Sequence, residues 1–195
     1  MEQRVSKEDF LDHNSEHVAF KNKTVTAHNA KMLTSLTTEE VAIPAIKAKV
    51  KGHTYKIDPD TNNIDNTNFK NLLKIKIGAR VCIIFNINTV DELVNGTSGT
   101  IMDIVKNRRG LVEAVIIKCD QLSSGKEQRK KHKHMLKPEK HENGIPILRH
   151  KLEYQATSRR GFQQTLRVSV TQFPLTLSWA STAHKMQVNL PFIFG

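Results

Sequence analysis

Over residues 23–36 the apolar positions Val25, Met32, Leu33 and Leu36 recur at three- to four-residue steps, and from Ile46 the period drops to two. The first spacing predicts an amphipathic helix, with Asn22 placed to cap its start and Thr37-Thr38-Glu39-Glu40 either to end it or to start another turn. The second sets Ile46, Ala48 and Val50 against Lys47, Lys49 and Lys51, which predicts a half-buried strand with one lysine face. Before the helix, residues 1–16 are polar and irregular, and His17 to Phe20 (HVAF) reads as a short strand. Residues 58–68, DPDTNNIDNTN, carry turn formers throughout and predict a loop. The most apolar stretch is 72–87, LLKIKIGARVCIIFNI, interrupted by Gly78, which predicts a bend within strands. Asn95-Gly96 is a hairpin signal leading into a strand over 99–105, and Arg108-Arg109-Gly110 a turn into Leu111–Lys118. Closely spaced strands with tight turns predict a small barrel. Further strands are expected at 145–154 and 166–170. From Pro174, Leu175, Trp179, Ala183 and Met186 repeat at helical spacing, which predicts a terminal helix opening on proline. No internal repeat is visible.

The chain is long enough, at 195 residues, for one domain or two small ones around a real core. Thirty Lys+Arg against 19 Asp+Glu leave a net charge of +11, which favours polyanions such as nucleic acid or an acidic membrane surface. Much of that charge lies in 126–140, KEQRKKHKHMLKPEK, with seven Lys/Arg. Arg129, Lys130, Lys131 and Lys133 there suit a phosphate-tracking arm; the alternative is a solvated, disordered loop. Cys82 and Cys119 lie in Val/Ile-rich runs, where a thiol acts as a small apolar side chain, and two cysteines make no disulfide framework. The N-terminus lacks the apolar core of a signal peptide and no run approaches the roughly 20 apolar residues of a membrane span. A soluble, intracellular protein without membrane partners is expected, nuclear by charge, with the mitochondrion as the alternative.

Candidate chemistry concentrates at Thr182, His184 and Lys185, where a hydroxyl, an imidazole and an ammonium put several donors into a small space. The set suits a phosphodiester backbone or a nucleotide phosphate. It also suits a helix C-terminus, where His and Lys meet free carbonyls. His132, His134 and His141 with Cys119 match no standard zinc spacing. Phe69, Phe85, Phe162 and Phe173 are candidates for base stacking or, more ordinarily, for core packing. No serine elbow or Cys/His pairing points to a hydrolase.

The whole stretch 172–187, QFPLTLSWASTAHKMQ, resembles a motif of superfamily 1 DNA helicases of the petite-integration-frequency (Pif-type) and RecD-like group. Phe173, Pro174, Leu175, Leu177, Trp179, Ala180, Thr182, His184, Lys185 and Gln187 carry the match. Upstream, Gly78-Ala79-Arg80-Val81, Asn86, Leu93-Val94-Asn95-Gly96-Thr97 and Gly99-Thr100 resemble the SH3-like 2B barrel inserted in that group. Val25, His28 and Asn29 are similar to the helix that opens its second RecA-like domain. The style is that of eukaryotic and Helitron-like members, and the resemblance covers about residues 17–187.

The resemblance implies an α/β fold with an inserted all-β part: a partial second RecA-like, P-loop-type domain at 17–71 and 165–195, carrying an SH3-like barrel at 72–155. It implies single-stranded DNA as partner, with Thr182, His184, Lys185 and Gln187 contacting its backbone or coupling that grip to nucleotide. Gly78, Asn95, Gly96 and Gly99 would shape the barrel turns. The family enzyme is an ATP-dependent 5′→3′ helicase that uses ATP and Mg2+. This chain departs from it in places. Val188 stands where the family has glycine, and the tail VNLPFIFG does not match the family's continuation. A phosphate loop needs G-x-x-x-x-G-K-[ST], and the nearest approach, Gly125-Lys126, has Asp120 and Glu127 at its first and last positions. The later arginine-finger motif and the first RecA-like domain are not seen. The expectation is therefore a C-terminal helicase fragment that grips DNA but does not hydrolyse ATP alone. A stand-alone single-strand-binding module and an inactive transposon-derived remnant are the alternatives.

Overall fold

The computed structural model describes residues 17–19, 21–49, 69–157 and 165–182. The elements run β1 (His17–Ala19), α1 (Asn22–Ser35), β2 (Val41–Pro44), β3 (Ile46–Lys49), β4 (Leu72–Ile75), β5 (Arg80–Ile83), β6 (Ser98–Lys106), β7 (Val112–Cys119) and α2 (Lys126–Lys131). A 3-10 turn at Lys133–Met135 follows, then β8 (Ile145–Leu148), β9 (His150–Thr157), β10 (Thr165–Gln172), β11 (Leu175–Leu177) and β12 (Ala180–Thr182). The loop expected at 58–68 lies outside the described residues, as do 1–16.

Four sheets form. The largest has the order β11-β5-β6-β7-β8, antiparallel throughout. In β7 the run Ala114–Ile117 is buried on both faces, as expected of a strand flanked by partners and covered on each side. A second sheet orders β3-β10-β9, a third pairs β2 with β4, and a fourth pairs β1 with β12 in parallel. One apolar cluster runs through the molecule, from Met32 and Leu33 of α1 through Ile43, Ile75, Val81 and Ile117 to Phe173, Leu175 and Trp179.

The helical spacing over 23–36 becomes α1, but Asn22 is its first residue rather than its cap; Lys21 occupies the cap position without a side-chain bond. The buried stripe of α1 is His28, Asn29, Met32 and Leu33, so half of it is polar. The period-2 strand at 46 also forms, yet Ile46 is 57% exposed while Lys47 is only half exposed, so the lysine face is not the more solvated one there. The strand expected at 145–154 divides at Arg149: β8 closes the five-stranded sheet and β9 joins β10. Gly78 (φ 87°) turns the chain between β4 and β5. Asn95-Gly96 is not a two-residue hairpin. It closes a longer excursion, 84–97, whose ends meet where the Gly96 amide donates to the Ile83 carbonyl at 2.9 Å, immediately before β6.

The terminal helix expected from Pro174 is overturned. Residues 175–177 and 180–182 are strands, and their backbone groups are claimed by β5 and β1. Apolar residues four apart fit a helix, but they also fit two short strands joined by a bend, where Leu175 faces one sheet and Trp179 packs at the corner. The side chains decide in favour of the second arrangement because they bury Phe173, Leu175 and Trp179 to 1% exposure or less.

Gly99 opposes Cys119 so closely that a Cβ there would stand 2.5 Å from the Lys118 carbonyl oxygen. Backbone cannot give way cheaply, so Gly99→Ala should lower unfolding stability in urea by about 1–3 kcal/mol, with the slope of the transition unchanged.

Candidate nucleic-acid interface

The stretch 172–182 threads through the middle of the molecule. Gln172 is fully buried, and its amide nitrogen donates to the carbonyls of Ile43 (3.0 Å) and Lys70 (3.1 Å) while its oxygen accepts from the Phe173 amide (3.0 Å). The Arg149 guanidinium lies 5.0 Å above the Phe173 ring. The Ile84 amide donates to the Pro174 carbonyl, and Ser178 donates its amide to the Arg80 carbonyl at 3.0 Å. Phe69 and Phe173 are core residues, and Phe85 stacks on His150 at 4.4 Å; Phe162 lies outside the described residues.

At the bend between β11 and β12 the governing contact comes from α1. Asn29 donates to the carbonyls of Leu177 (3.2 Å) and Ala180 (3.1 Å), and accepts the Ala180 amide at 2.8 Å. A buried side chain thus satisfies three backbone groups that the bend takes out of the ladders. Beside it, buried His28 stacks on His17 at 4.5 Å. Its pKa is lowered, first by burial and then by the neighbouring His17 and Lys31. The parallel register of β1 and β12 ends with Ala19 opposite Thr182, which is half exposed. Thr182 therefore sits at the end of a strand, not in the last turn of a helix. His184, Lys185 and Gln187 lie outside the described residues, as does Val188.

The basic segment 126–140 is structured rather than a loose loop, and its helix packs on β8. Asp91, only 5% exposed, accepts the amides of Glu127 (2.9 Å) and Gln128 (2.8 Å) on its two carboxylate oxygens, and its own carbonyl accepts the Gly125 amide. At Gly125-Lys126, the chain's nearest approach to a phosphate loop, the Gly125 amide is thus committed to the Asp91 carbonyl and the next amides, of Glu127 and Gln128, to its carboxylate, and the residues here do not fit a nucleotide triphosphate or its magnesium. Among the described residues no group of three or more His, Cys, Asp or Glu could hold a metal ion. His141 in particular is engaged otherwise. Its Nδ1 accepts the Lys137 amide at 3.0 Å, so Nε2 carries the proton and donates to Asp103 at 2.9 Å. Burial opposes ionisation of Asp103, but hydrogen bonds from Lys140 and His141 and the Ile104 amide outweigh it and hold the carboxyl below its usual range. Burial, with Asp120 adding to it, pushes the Cys119 thiol up to about 11, so it is inert at neutral pH. Arg80 makes a two-pronged pair with Asp120, both contacts at 2.7 Å.

Sequence reasoning missed Asp91, Gln172 and the true role of His141. Asn29 had a visible signal, because an asparagine in the apolar stripe of a helix must find buried partners. No helix of the described residues is long and apolar enough to cross a membrane.

No model of a known protein family matches the chain. It is 32% identical over 173 residues to the ATP-dependent DNA helicase Pif1 of Campylobacter jejuni, covering 85% of this chain and 32% of that protein. It is 26% identical over 140 residues to the ATP-dependent DNA helicase PIF6 of Trypanosoma brucei, covering 71% of this chain and 15% of that one. The chain thus spans a third or less of the length of these curated relatives. Among solved structures, unliganded Pif1 from Bacteroides sp superposes with a TM-score of 0.57 at 20% identity, over 91% of this chain and 44% of that one. The same Bacteroides enzyme is known bound to ssDNA and in complex with ADP-AlF4. The structural likeness shows a fold shared with part of these Pif1 structures, sheet-rich among the described residues and consistent with an α/β class.

Two outcomes are expected. Asn29→Ala leaves buried backbone groups at the bend unsatisfied and should cost about 2–3 kcal/mol of unfolding free energy, read by urea melts. Because the His28 pKa is lower in the folded chain, the unfolded chain binds the extra proton, and stability should fall as pH drops below about 6.5. His28→Gln should flatten that loss in melting curves taken between neutral and mildly acidic pH.

Proposed function

We propose that the chain belongs to the Pif1-type helicase family and that these residues supply the single-strand grip of such a motor: part of a second RecA-like domain, 17–71 and 165–195, carrying an SH3-like barrel at 72–155. The observation that carries this reading is the Asn29 clamp. Two separately matched stretches, the helix with His28-Asn29 and the strand leading to Thr182, are bonded to one another through three hydrogen bonds. That geometry presents Thr182 at the end of β12, with His184 and Lys185 following directly in sequence. A hydroxyl, an imidazole and an ammonium in succession hydrogen-bond phosphodiester oxygens without reading bases. The barrel supports the grip through β5, whose pairing with β11 fixes where the strand emerges.

ATP and Mg2+ serve the family's motor by driving movement along the strand, and single-stranded DNA is the partner. In this reading hydrolysis by the motor depends on a phosphate loop and a first RecA-like domain, neither of which the sequence pattern of these 195 residues carries. This chain's own work is to hold the strand and to pass that contact on through β12 and α1.

Binding of a labelled oligo-dT, followed by fluorescence anisotropy across a salt series, tests the reading. The chain should bind with affinity that falls steeply as salt rises. The triple variant Thr182→Ala/His184→Ala/Lys185→Ala should bind several-fold more weakly, with its salt slope reduced by about 0.7 for the lost lysine contact. Equal binding by the two proteins would sink the proposal.

A further inference from the structure

The cationic segment 126–140 is built into the fold by groups that have no part in the strand grip. Asp91 reaches from the 84–97 excursion to cap α2, and Gln128 donates to the Pro146 carbonyl at 3.0 Å. Downstream, Asp103 on β6 takes both Lys140 (2.8 Å) and His141 (2.9 Å), while His141 also receives the Lys137 amide. The segment is therefore tied at its start to the 84–97 excursion and β8 and at its end to β6, with the buried Asp91 and the partly buried Asp103 carboxylates making two of the ties. Between them Lys126, Lys130, Lys131, Lys133 and Lys137 are exposed. Residues 126–140 hold seven Lys/Arg against two acids, Glu127 and Glu139.

A charge run that only needed to stay solvated would not require a buried aspartate at its start and a buried histidine at its end. We infer that residues 126–140 form a pre-folded cationic ledge that binds the phosphate backbone of double-stranded nucleic acid, as a contact separate from the single-strand grip at Thr182. Asp91 and His141 act as its positioning residues. Duplex is favoured over single strand by what the ledge lacks. Single-strand binders combine a basic groove with aromatic side chains that stack unpaired bases, and residues 120–144 contain no Phe, Tyr or Trp. Point-charge ammonium groups on a rigid base suit the regular phosphate rows of a helix, whose bases are already stacked and need no platform. No sequence preference is expected, because nothing on the ledge reaches for a base edge.

The test compares the full chain with Lys130→Gln/Lys131→Gln/Lys133→Gln and with Asp91→Ala, each against a blunt DNA duplex and an oligo-dT of equal length. The lysine substitutions are on the surface and leave the core intact, so folding is not in question for that variant. Duplex affinity should fall at least tenfold and its salt slope should flatten by about 2–3, while oligo-dT affinity falls by less than about threefold. Asp91→Ala, in melts that confirm it is folded, should lose duplex affinity in the same sense with all its lysines present. An equal loss on both ligands would overturn the assignment to duplex, and unchanged duplex binding in the lysine variant would overturn the ledge itself. Neither result depends on the Thr182 variants, so this inference and the single-strand grip fail separately.

Discussion

A bend that joins two short strands strips hydrogen bonds from the backbone on either side of it, and in a buried place those groups must be satisfied or the bend will not form. Between β11 and β12 the bend is buried against Trp179, and Asn29 answers it with both ends of its amide. The rest follows from that contact. β11 can add to the edge of the five-stranded sheet, and β12 can add to β1, only if the chain turns between them at a fixed angle. Two bodies of sheet are thereby held in one orientation by one side chain on α1.

The same device recurs elsewhere. Gln172, fully buried, ties the start of the stretch to the carbonyls of Ile43 and Lys70, and Asp91 ties α2 to the 84–97 excursion. Each is a polar side chain deep in the molecule that closes a contact between distant parts of the chain. Apolar burial supplies most of the driving force, but it is indifferent to small slips. Amide and carboxylate groups are not, because a displaced partner leaves them unsatisfied. Order in the functional segments therefore rests on few atoms.

Much of this was legible beforehand, and the parts that were not share a cause. The helix at 22–35 and the strands from 72 to 119 follow from local period and turn chemistry, which need no distant partner. The stretch after Pro174 misled because spacing four apart at Leu175 and Trp179 belongs equally to a helix and to a strand–bend–strand, and the arbiter is a residue far away in sequence. Ile46 looked like a core position by alternation, yet it is exposed in a strand that, among the described residues, lies at the edge of its sheet. At the candidate site Thr182 and Asn29 could be picked out by resemblance to helicase motifs. The anchoring roles of Asp91 and His141 could not, because a lone acid in a loop and a histidine among lysines carry no pattern. The spacing of His141 already argued against a metal site, but not for the two hydrogen bonds its ring nitrogens make.

The parallel pairing of β1 with β12 has a consequence for how the molecule is made. Its partners come from opposite ends of the described chain, and the Asn29–Ala180 bond that supports it spans 151 positions. Contacts so remote in sequence form slowly, since a long loop must close before any of them is gained. During synthesis the antiparallel strands β5 to β8 leave the ribosome together and can pair at once, whereas α1, made earlier, has its polar stripe bare until residue 180 emerges. The helix is translated before those strands but completed after them, so the newborn chain carries paired sheet strands and an unoccupied helix face until residue 180 has emerged.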